Sequence, residues 1–145
     1  MRRVAFAVRL GIGVLLVSAS ACARTPITSS RLEAAIQTTF ANLVELQVSR
    51  LRLPPMAAPD FAVTAICNKQ VPRGDRGAGE WSCTLVWQGP ARQTLRDTYE
   101  LFVATDGCYT ATVSGESLGG PTLKAADGTP VKNLLYTFEG CFDTM

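Results

Sequence analysis

The sequence predicts an α+β fold in which one N-terminal helix packs on an antiparallel β meander of four to six strands held by two disulfides. Three observations predict it. Apolar residues recur with a helical period after position 30, and the period changes to two residues from position 61 onward. Glycine-rich turns separate the later segments. A helix followed only by strands is expected to lie across one face of their sheet.

The helix is predicted to begin at residue 30. Ser30 and Glu33 fit a capping box, in which each side chain bonds a free backbone N–H of the first turn. Pro54 ends the helix at the latest, because proline has no backbone donor. The predicted buried stripe comprises Leu32, Ala35, Ile36, Phe40, Leu43, Val44, and Leu46 or Gln47.

Two alternating segments follow, separated by a loop over residues 71–79. The predicted inward face comprises Phe61, Val63, Ala65 and Cys67 in the first strand and Trp81, Cys83, Leu85 and Trp87 in the second. A hairpin centred near Asp75 places opposite each other residues whose numbers sum to about 150. Cys67 and Cys83 satisfy this sum, and facing residues of an antiparallel pair lie within disulfide reach. We therefore expect these two cysteines to form a disulfide.

A third strand, about residues 95–105, has Leu95, Tyr99, Leu101 and Val103 on one face. Asp106-Gly107 predicts a tight turn into a fourth strand over residues 108–113. A short strand is expected at residues 122–124, and residues 133–142 form a final strand or docked tail. By elimination Cys108 pairs with Cys141, and this disulfide ties the tail to the fourth strand.

Composition limits the chain to one domain, or to one domain plus a processed leader. The 145 residues are 47% hydrophobic and 18% charged with a net charge of +2, which excludes a disordered chain. The absence of histidine excludes Ser-His-Asp triads and histidine-zinc sites. Five cysteines leave an even number of partners if Cys22 is removed or modified.

The first 21 residues have the layout of a secretory signal peptide. Arg2, Arg3 and Arg9 are followed by twelve residues without charge that end in small side chains. This run is short for a membrane-spanning helix, which needs roughly 20 residues. The membrane-spanning helix and twin-arginine export through Arg2-Arg3 are the weaker alternatives.

Residues 17–22, Val-Ser-Ala-Ser-Ala-Cys, resemble the lipobox of bacterial lipoproteins, with Ala19 where leucine is usual. The resemblance implies a lipid on Cys22, a tether over residues 22–29 and a domain over residues 30–145. Cleavage after Ala23 is the alternative and would release a secreted or periplasmic protein.

Removing residues 1–21 leaves 11 basic and 12 acidic residues, a formal charge of −1. The sequence shows no basic stripe in the mature domain, so it predicts neither a nucleic-acid partner nor an anionic-membrane surface.

Over residues 30–142 the organisation resembles small exported proteins and lipoproteins of unknown function common in actinobacteria. The resemblance is one of element order and disulfides. It carries no functional residue to this chain.

Two candidate contact sites stand out. Arg73-Gly74-Asp75, at the predicted hairpin tip, matches an integrin-binding tripeptide, although chance turn composition accounts for it as well. Six aromatic residues could line a groove or fill the core: Trp81, Trp87, Tyr99, Tyr109, Tyr136 and Phe138. Phe102 and Tyr109 are expected on the face opposite Tyr99 and Leu101, and this second face is the better candidate if it is open.

No motif predicts catalysis, a cofactor or a metal. The carboxylates are scattered singly, and the sequence has neither Cys-x-x-Cys spacing nor a Gly-x-Ser-x-Gly elbow. We therefore predict a lipid-anchored, non-enzymatic binding or accessory protein of the bacterial envelope. Its expected partners are the membrane, through the anchor, and an envelope protein or small ligand. The alternatives are a secreted inhibitor that inserts loop 71–79 into an enzyme cleft, and a hydrolase with two carboxylates within about 10 Å.

Overall fold

The computed structural model describes residues 26–115 and 117–142 and has the predicted α+β fold. One helix packs on a five-stranded antiparallel sheet, and a two-stranded hairpin lies beside them. The elements are α1 (Ser29–Arg50), β1 (Thr64–Val71), β2 (Gly79–Gln88), β3 (Thr94–Val103), β4 (Cys108–Val113), β5 (Thr122–Lys124), β6 (Pro130–Lys132) and β7 (Thr137–Cys141). The large sheet has the order β1-β2-β3-β4-β7, and β5 pairs with β6. The predicted signal peptide and Cys22 lie outside the described residues.

The domain begins before the predicted boundary at residue 30. Ile27 is buried in the core, and its carbonyl accepts a hydrogen bond from the Gly77 amide at 2.8 Å. Thr28 forms an isolated β-bridge with Arg76 at the tip of the β1–β2 hairpin. Residues 26–29, which were expected in the tether, therefore pack against the folded domain.

The predicted capping box at Ser30 is wrong. The cap is Thr28, whose side chain accepts a hydrogen bond from the Arg31 amide. Glu33 does not reach back to the cap, because its Oε1 accepts a hydrogen bond from the Cys67 amide on edge strand β1 at 2.9 Å. The packing of Ile27 moves the helix start toward the N-terminus, and the unpaired edge of β1 engages the glutamate.

The buried stripe of α1 follows the expected one and extends by one residue. Leu32, Ile36, Phe40, Val44 and Gln47 are buried as predicted, and Val48 is buried as well. Leu43 is half-buried, and Leu46 is 54% exposed. Leu32, Ile36, Phe40 and Val44 form an i, i+4 row, which slants across the helix surface rather than running parallel to the helix axis.

The β1–β2 hairpin has the register that the cysteine positions predict. Cys67 faces Cys83 across the two strands, and the two residues form a disulfide. Strand β1 begins at Thr64 rather than at Phe61, because Phe61 ends a short 3-10 helix (Ala58–Phe61). The left-handed backbone of Ala62, with φ of 45°, separates this turn from the strand.

Strands β3, β4 and β7 complete the sheet as predicted. The turn after β3 pairs Val103 with Tyr109, and the fourth strand then pairs with β7. Cys108 faces Cys141 and forms the second disulfide. The first disulfide is buried in the core, whereas Cys141 of the second is exposed.

The core lies between α1 and the covered face of the sheet. The Phe40 ring is in edge contact with Trp87, at 4.9 Å between centroids, and with Tyr99, at 5.8 Å. Phe138 from β7 closes this cluster at 6.0 Å from Phe40. Aromatic residues from both layers thus interlock, which fixes the position of the helix on the sheet.

Buried amides join the C-terminal part of the chain to the core. Asn133 donates from Nδ2 to the carbonyls of Leu118 and Gly120, and its Oδ1 accepts from the Leu135 amide. Gln47 Oε1 accepts from the Leu134 amide at 2.7 Å. These bonds hold residues 118–135 in place, although most of that segment lies outside regular strands.

Candidate binding surface on the open face of the sheet

The helix covers only one face of the five-stranded sheet. Side chains of a strand alternate between faces, so every second residue of each strand points away from α1. This second face, which we call the open face, carries the two most exposed large apolar side chains among the described residues. Ile66 on β1 is 68% exposed, and Phe102 on β3 is 63% exposed.

Phe102 lies in a row of side chains that crosses four strands of the open face. It pairs with Glu80 on β2 and with Thr110 on β4, and Thr110 pairs with Glu139 on β7. Directly opposed residues of antiparallel strands share a face with Cβ atoms about 4.5–5.5 Å apart. The exposed ring therefore lies in one row with two carboxylates.

Two shallow grooves flank Phe102. The first has a volume of ≈ 320 Å³ and is lined by Glu80, Glu100, Leu101, Phe102, Thr110 and Thr112. The second has a volume of ≈ 330 Å³, and its lining contains Phe102 and the Cys108–Cys141 disulfide, which we call the outer disulfide. The ring and the disulfide supply apolar surface, and the glutamates supply hydrogen-bond acceptors. This combination suits contact with a partner that carries both apolar and donor groups.

The neighbouring rows of the open face are rich in hydroxyls. Thr84 and Thr98 share a hydrogen bond at 3.3 Å, and Thr112 and Thr137 are directly opposed. Ser114 donates to Glu100 at 3.3 Å. These hydroxyls are partly satisfied within the sheet, and those bonds hold the side chains around Phe102.

Larger cavities lie elsewhere among the described residues. One, of ≈ 490 Å³, is lined by Met56, Asp60, Gln88, Pro90 and Arg92 near the β2–β3 turn. Another, of ≈ 560 Å³, borders β7 and contains Tyr136, Phe138 and Lys132 in its lining. Both are open to solvent, and neither has two carboxylates in its lining.

Most of the predicted aromatic candidates belong to the core. Trp81, Trp87 and Tyr99 are buried beneath α1, so they form no groove. Tyr99 donates its hydroxyl to the Leu135 carbonyl at 2.8 Å. Burial raises the pKa of Tyr99 well above its ordinary value, and the nearby charge of Asp97 raises it further.

The expected position of Tyr109 is wrong. Because the turn after β3 pairs Tyr109 with Val103, Tyr109 points into the core rather than onto the face of Phe102. Its hydroxyl donates to Thr39 Oγ1 on α1 at 3.1 Å. Burial raises the pKa of Tyr109, and the hydrogen bond with Thr39 partly offsets this. Of Phe102 and Tyr109, only Phe102 lies on the open face.

The Arg73-Gly74-Asp75 tripeptide is exposed at the hairpin tip, but its carboxylate is engaged. Asp75 binds the neighbouring Arg76 at 3.1 Å. The Arg76 side chain, through this hydrogen bond and its charge, lowers the pKa of Asp75. The loop is held at Gly77, whose carbonyl accepts from the Trp81 indole at 3.2 Å. The tripeptide thus presents a free arginine beside an internally paired carboxylate.

One pair of carboxylates meets the spacing that a hydrolase needs. Glu80 and Glu100 line the same groove and are diagonal neighbours on adjacent strands, a relation that places Cα atoms about 7–8 Å apart. Both side chains are exposed.

Sequence reasoning singled out Phe102 but not its neighbours. Glu80 and Glu139 are 59 positions apart in the chain, and only the pairing of four strands places them in one row. The length of the turn after β3 was the signal that could have paired Phe102 with Thr110, because that length fixes which residue of β4 faces Phe102. The lipidation site predicted at Cys22 lies outside the described residues.

Residues 26–115 and 117–142 contain neither a cluster of metal-ligating side chains nor a membrane-spanning helix. In that part of the chain no three His, Cys, Asp or Glu side chains are grouped so that they could hold a metal ion. The helix described there is not both long and apolar enough to cross a membrane.

Comparison with protein-family models, with curated proteins and with solved structures finds no match to this chain.

Proposed function

We propose that this chain is an extracytoplasmic, lipid-anchored binding or accessory protein of the bacterial cell envelope. Cys22 is its anchor, and the open face of the sheet is its contact surface. The observation that carries the proposal is the exposed Phe102 in one row with Glu80 and Glu139. A stable domain of this size has no packing need for an exposed aromatic ring between carboxylates, whereas exposed aromatic residues are enriched at protein interfaces.

Separate observations support the proposed location outside the cytoplasm. Two disulfides form where the compartment is oxidising, so they are consistent with a location outside the cytoplasm. The residues before Cys22 resemble a lipobox. Pro26 is four positions from Cys22, so an anchored domain would be held close to the membrane.

The contact surface is tested by photo-crosslinking in the native host. A photoreactive phenylalanine analogue replaces Phe102 on the open face or, as a control, Leu46 on the exposed side of α1. Both positions are exposed and apolar, and they lie on opposite sides of the domain. We expect a discrete adduct from position 102 and none from position 46.

The adduct is then challenged with surface variants. Glu80→Gln and Glu139→Gln together are expected to lower its yield, because they remove both charges of the row without changing its shape. Equal adducts from positions 102 and 46, or no adduct from position 102, would contradict a contact surface at Phe102.

A secreted, non-anchored inhibitor is the second candidate. It is favoured by the restraint on loop 71–79, which the Trp81 indole, the Ile27 carbonyl and a bridge between Lys69 and Gly74 hold in place. Preorganised loops lose little entropy on entering an enzyme cleft. An unacylated protein in the soluble fraction would favour this candidate over the anchored one.

A further inference from the structure

The large sheet has two edge strands, β1 and β7, and the fold treats them differently. The outward backbone groups of an edge strand can pair with another strand, so proteins commonly cover or blunt such an edge. Strand β1 is covered in this way. Glu33 on α1 accepts the hydrogen bond of the Cys67 amide at 2.9 Å, and Lys69 forms a β-bridge with Gly74 of the loop that follows β1.

The hydrogen bonds beside strands β4 and β7 show which backbone groups of β7 point outward. The Phe142 amide donates to the Gly107 carbonyl, and the Val113 amide donates to the Tyr136 carbonyl, each at 3.1 Å. Residues that bond across an antiparallel pair alternate with residues that do not. Even-numbered residues of β7 therefore bond to β4. The backbone groups that point away from the sheet are those of Thr137, Glu139 and Cys141.

The outward edge of β7 lacks the covering that β1 has. Within residues 26–115 and 117–142, no side chain or backbone group forms a hydrogen bond with the outward N–H and C=O groups of Thr137, Glu139 and Cys141. The described part of the chain thus closes one edge of its sheet and leaves the other able to pair.

A slot runs along this free edge. The cavity of ≈ 560 Å³ that borders β7 is lined by three consecutive residues of the strand, Thr137, Phe138 and Glu139. Consecutive side chains of a strand point to opposite faces, so a cavity that all three line lies beside the strand and not on one face of the sheet. Its opposite wall contains Pro121 and Lys132, at the base of the β5–β6 hairpin. We call this cavity the edge slot.

We propose that the edge slot binds an extended segment of a partner protein, which pairs with β7 and adds a strand to the sheet. In this mode of recognition, main-chain hydrogen bonds supply affinity and alternate side chains supply selectivity. The inference goes beyond the proposed contact at Phe102 and does not depend on an anchor at Cys22.

The opposite wall favours a single segment over a second copy of this chain. Paired strands lie about 4.8 Å apart, so one added strand needs only that spacing beside β7. A second copy that paired through its own β7 would also bring the sheet behind that strand toward Pro121 and Lys132.

The slot also indicates which side chains the segment should carry. Glu139 lies on the open face, and an opposite charge favours a directly opposed cross-strand pair, so a Lys or Arg is expected opposite it. Phe138 points to the covered face near the half-buried Tyr136, so the adjacent residue of the segment meets apolar surface. Lys132 and Glu139 are the charged residues of the lining and balance each other, so net charge does not drive binding.

The test selects peptides from a displayed random library on the chain from residue 23 onward, exported behind a cleavable leader so that both disulfides form. This chain contains the helix, every described strand and the described core. Amide hydrogen exchange of the isotope-labelled domain, followed by NMR, reports on each backbone N–H with and without a selected peptide. We expect the peptide to slow exchange at Thr137 and Glu139 and to leave the amides of β1 unchanged.

Two substitutions at one position separate backbone pairing from side-chain contact. Thr137→Pro removes an outward N–H and leaves the bonds between β4 and β7 in place, since proline is tolerated where the N–H of an edge strand faces solvent. We expect it to weaken peptide binding at least about tenfold. Thr137→Ala, the control, also loses the hydroxyl contact with Thr112 but keeps the N–H, so it should bind normally.

The charge of the slot is tested separately. Glu139→Gln should weaken binding of a peptide that carries Lys or Arg by about threefold. Glu80→Gln is the matched control, because it removes an equally exposed carboxylate from β2, away from the slot, and should leave binding unchanged. The exchange measurement on the unaltered chain tests the proposal even where Thr137→Pro fails to fold.

The proposal is overturned if no peptide is selected, if a selected peptide binds without slowing exchange at Thr137 and Glu139, or if Thr137→Pro and Thr137→Ala bind it equally. Protection of these two amides without peptide would also overturn it. A dimeric mass would then place a second copy at the edge, and a monomeric mass would place another part of the same chain there. None of these outcomes depends on acylation or on Phe102, so failure of the proposed function is distinguished from failure of the edge slot.

Discussion

Tyr99 is a buried tyrosine through which alkaline pH acts on the fold. It has 0% exposed surface, and its ring lies 5.4 Å from that of Phe138. Because burial raises its pKa, the folded protein keeps the phenolic proton where an unfolded tyrosine loses it, above about pH 10. The stability from this residue is complete below pH 10 and falls as pH rises further.

Urea unfolding at pH 8, 10 and 11 measures this effect. We expect the free energy of unfolding to fall by up to about 1.4 kcal/mol per pH unit for each buried tyrosine above pH 10. Tyr109, whose pKa burial also raises, contributes to the slope. Tyr99→Phe should cost about 1 kcal/mol at pH 8 and reduce the alkaline slope. An unchanged slope in this variant would show that another group controls alkaline unfolding.

Asn133 is a buried amide whose two ends are both used. It is 1% exposed, and its Nδ2 donates to two carbonyls at 2.9 Å and 3.0 Å. Asn133→Asp keeps the shape but turns a carboxyl oxygen toward those carbonyls. We expect a loss of at least about 2 kcal/mol at pH 7.

The loss should be smaller at acid pH. A carboxyl in this position has a raised pKa, so the variant is least destabilised when protonated and loses stability as pH rises above about 4. Asn42→Asp, on the exposed side of α1, introduces the same charge as a control and should change stability little. Equal losses for the two variants in urea unfolding would contradict the buried network.

The two disulfides differ in burial and in the length of the loop that each closes. Cys67–Cys83 closes 16 residues inside the core, and Cys108–Cys141 closes 33 residues beside the open face. Loop-closure entropy alone assigns about 3 kcal/mol to the first and about 3.7 kcal/mol to the second. Replacing the buried pair by serine also places two hydroxyls in the core, at about 1–3 kcal/mol each when unpaired.

We therefore expect the order of the losses to be opposite to the order of loop lengths. Cys67→Ser with Cys83→Ser should destabilise the protein more than Cys108→Ser with Cys141→Ser in urea unfolding. Graded reduction should open the exposed Cys108–Cys141 disulfide first, as mapped by alkylation and peptide mass. A larger loss from the outer pair would show that chain entropy outweighs burial.

The elements show which features local sequence can predict. Alternation on β2 and the cysteine spacing determined the β1–β2 register, because a hairpin has one centre and one face toward the core. The cap of α1 could not be predicted in this way. Thr28 becomes the cap because Thr28 bridges to Arg76 and Ile27 binds Gly77, and both partners are distant in sequence. Tyr109 was misplaced because its face depends on the geometry of the preceding turn.

At the scale of the whole molecule, the two faces of the sheet differ. One face is covered by α1, and the other is open around Phe102. The row from Glu80 to Glu139 depends on four strands, so no local pattern could reveal it.

We propose above all that this domain is carried outside the cytoplasm on a lipid-modified Cys22. The most direct test is the intact mass of the native protein from membrane and soluble fractions, alkylated with and without prior reduction. We predict a membrane-bound chain that starts at an acylated Cys22, with four alkylated thiols only after reduction. A soluble, unacylated chain that starts after Ala23 would contradict the anchor, and thiols that alkylate without reduction would contradict an oxidising compartment.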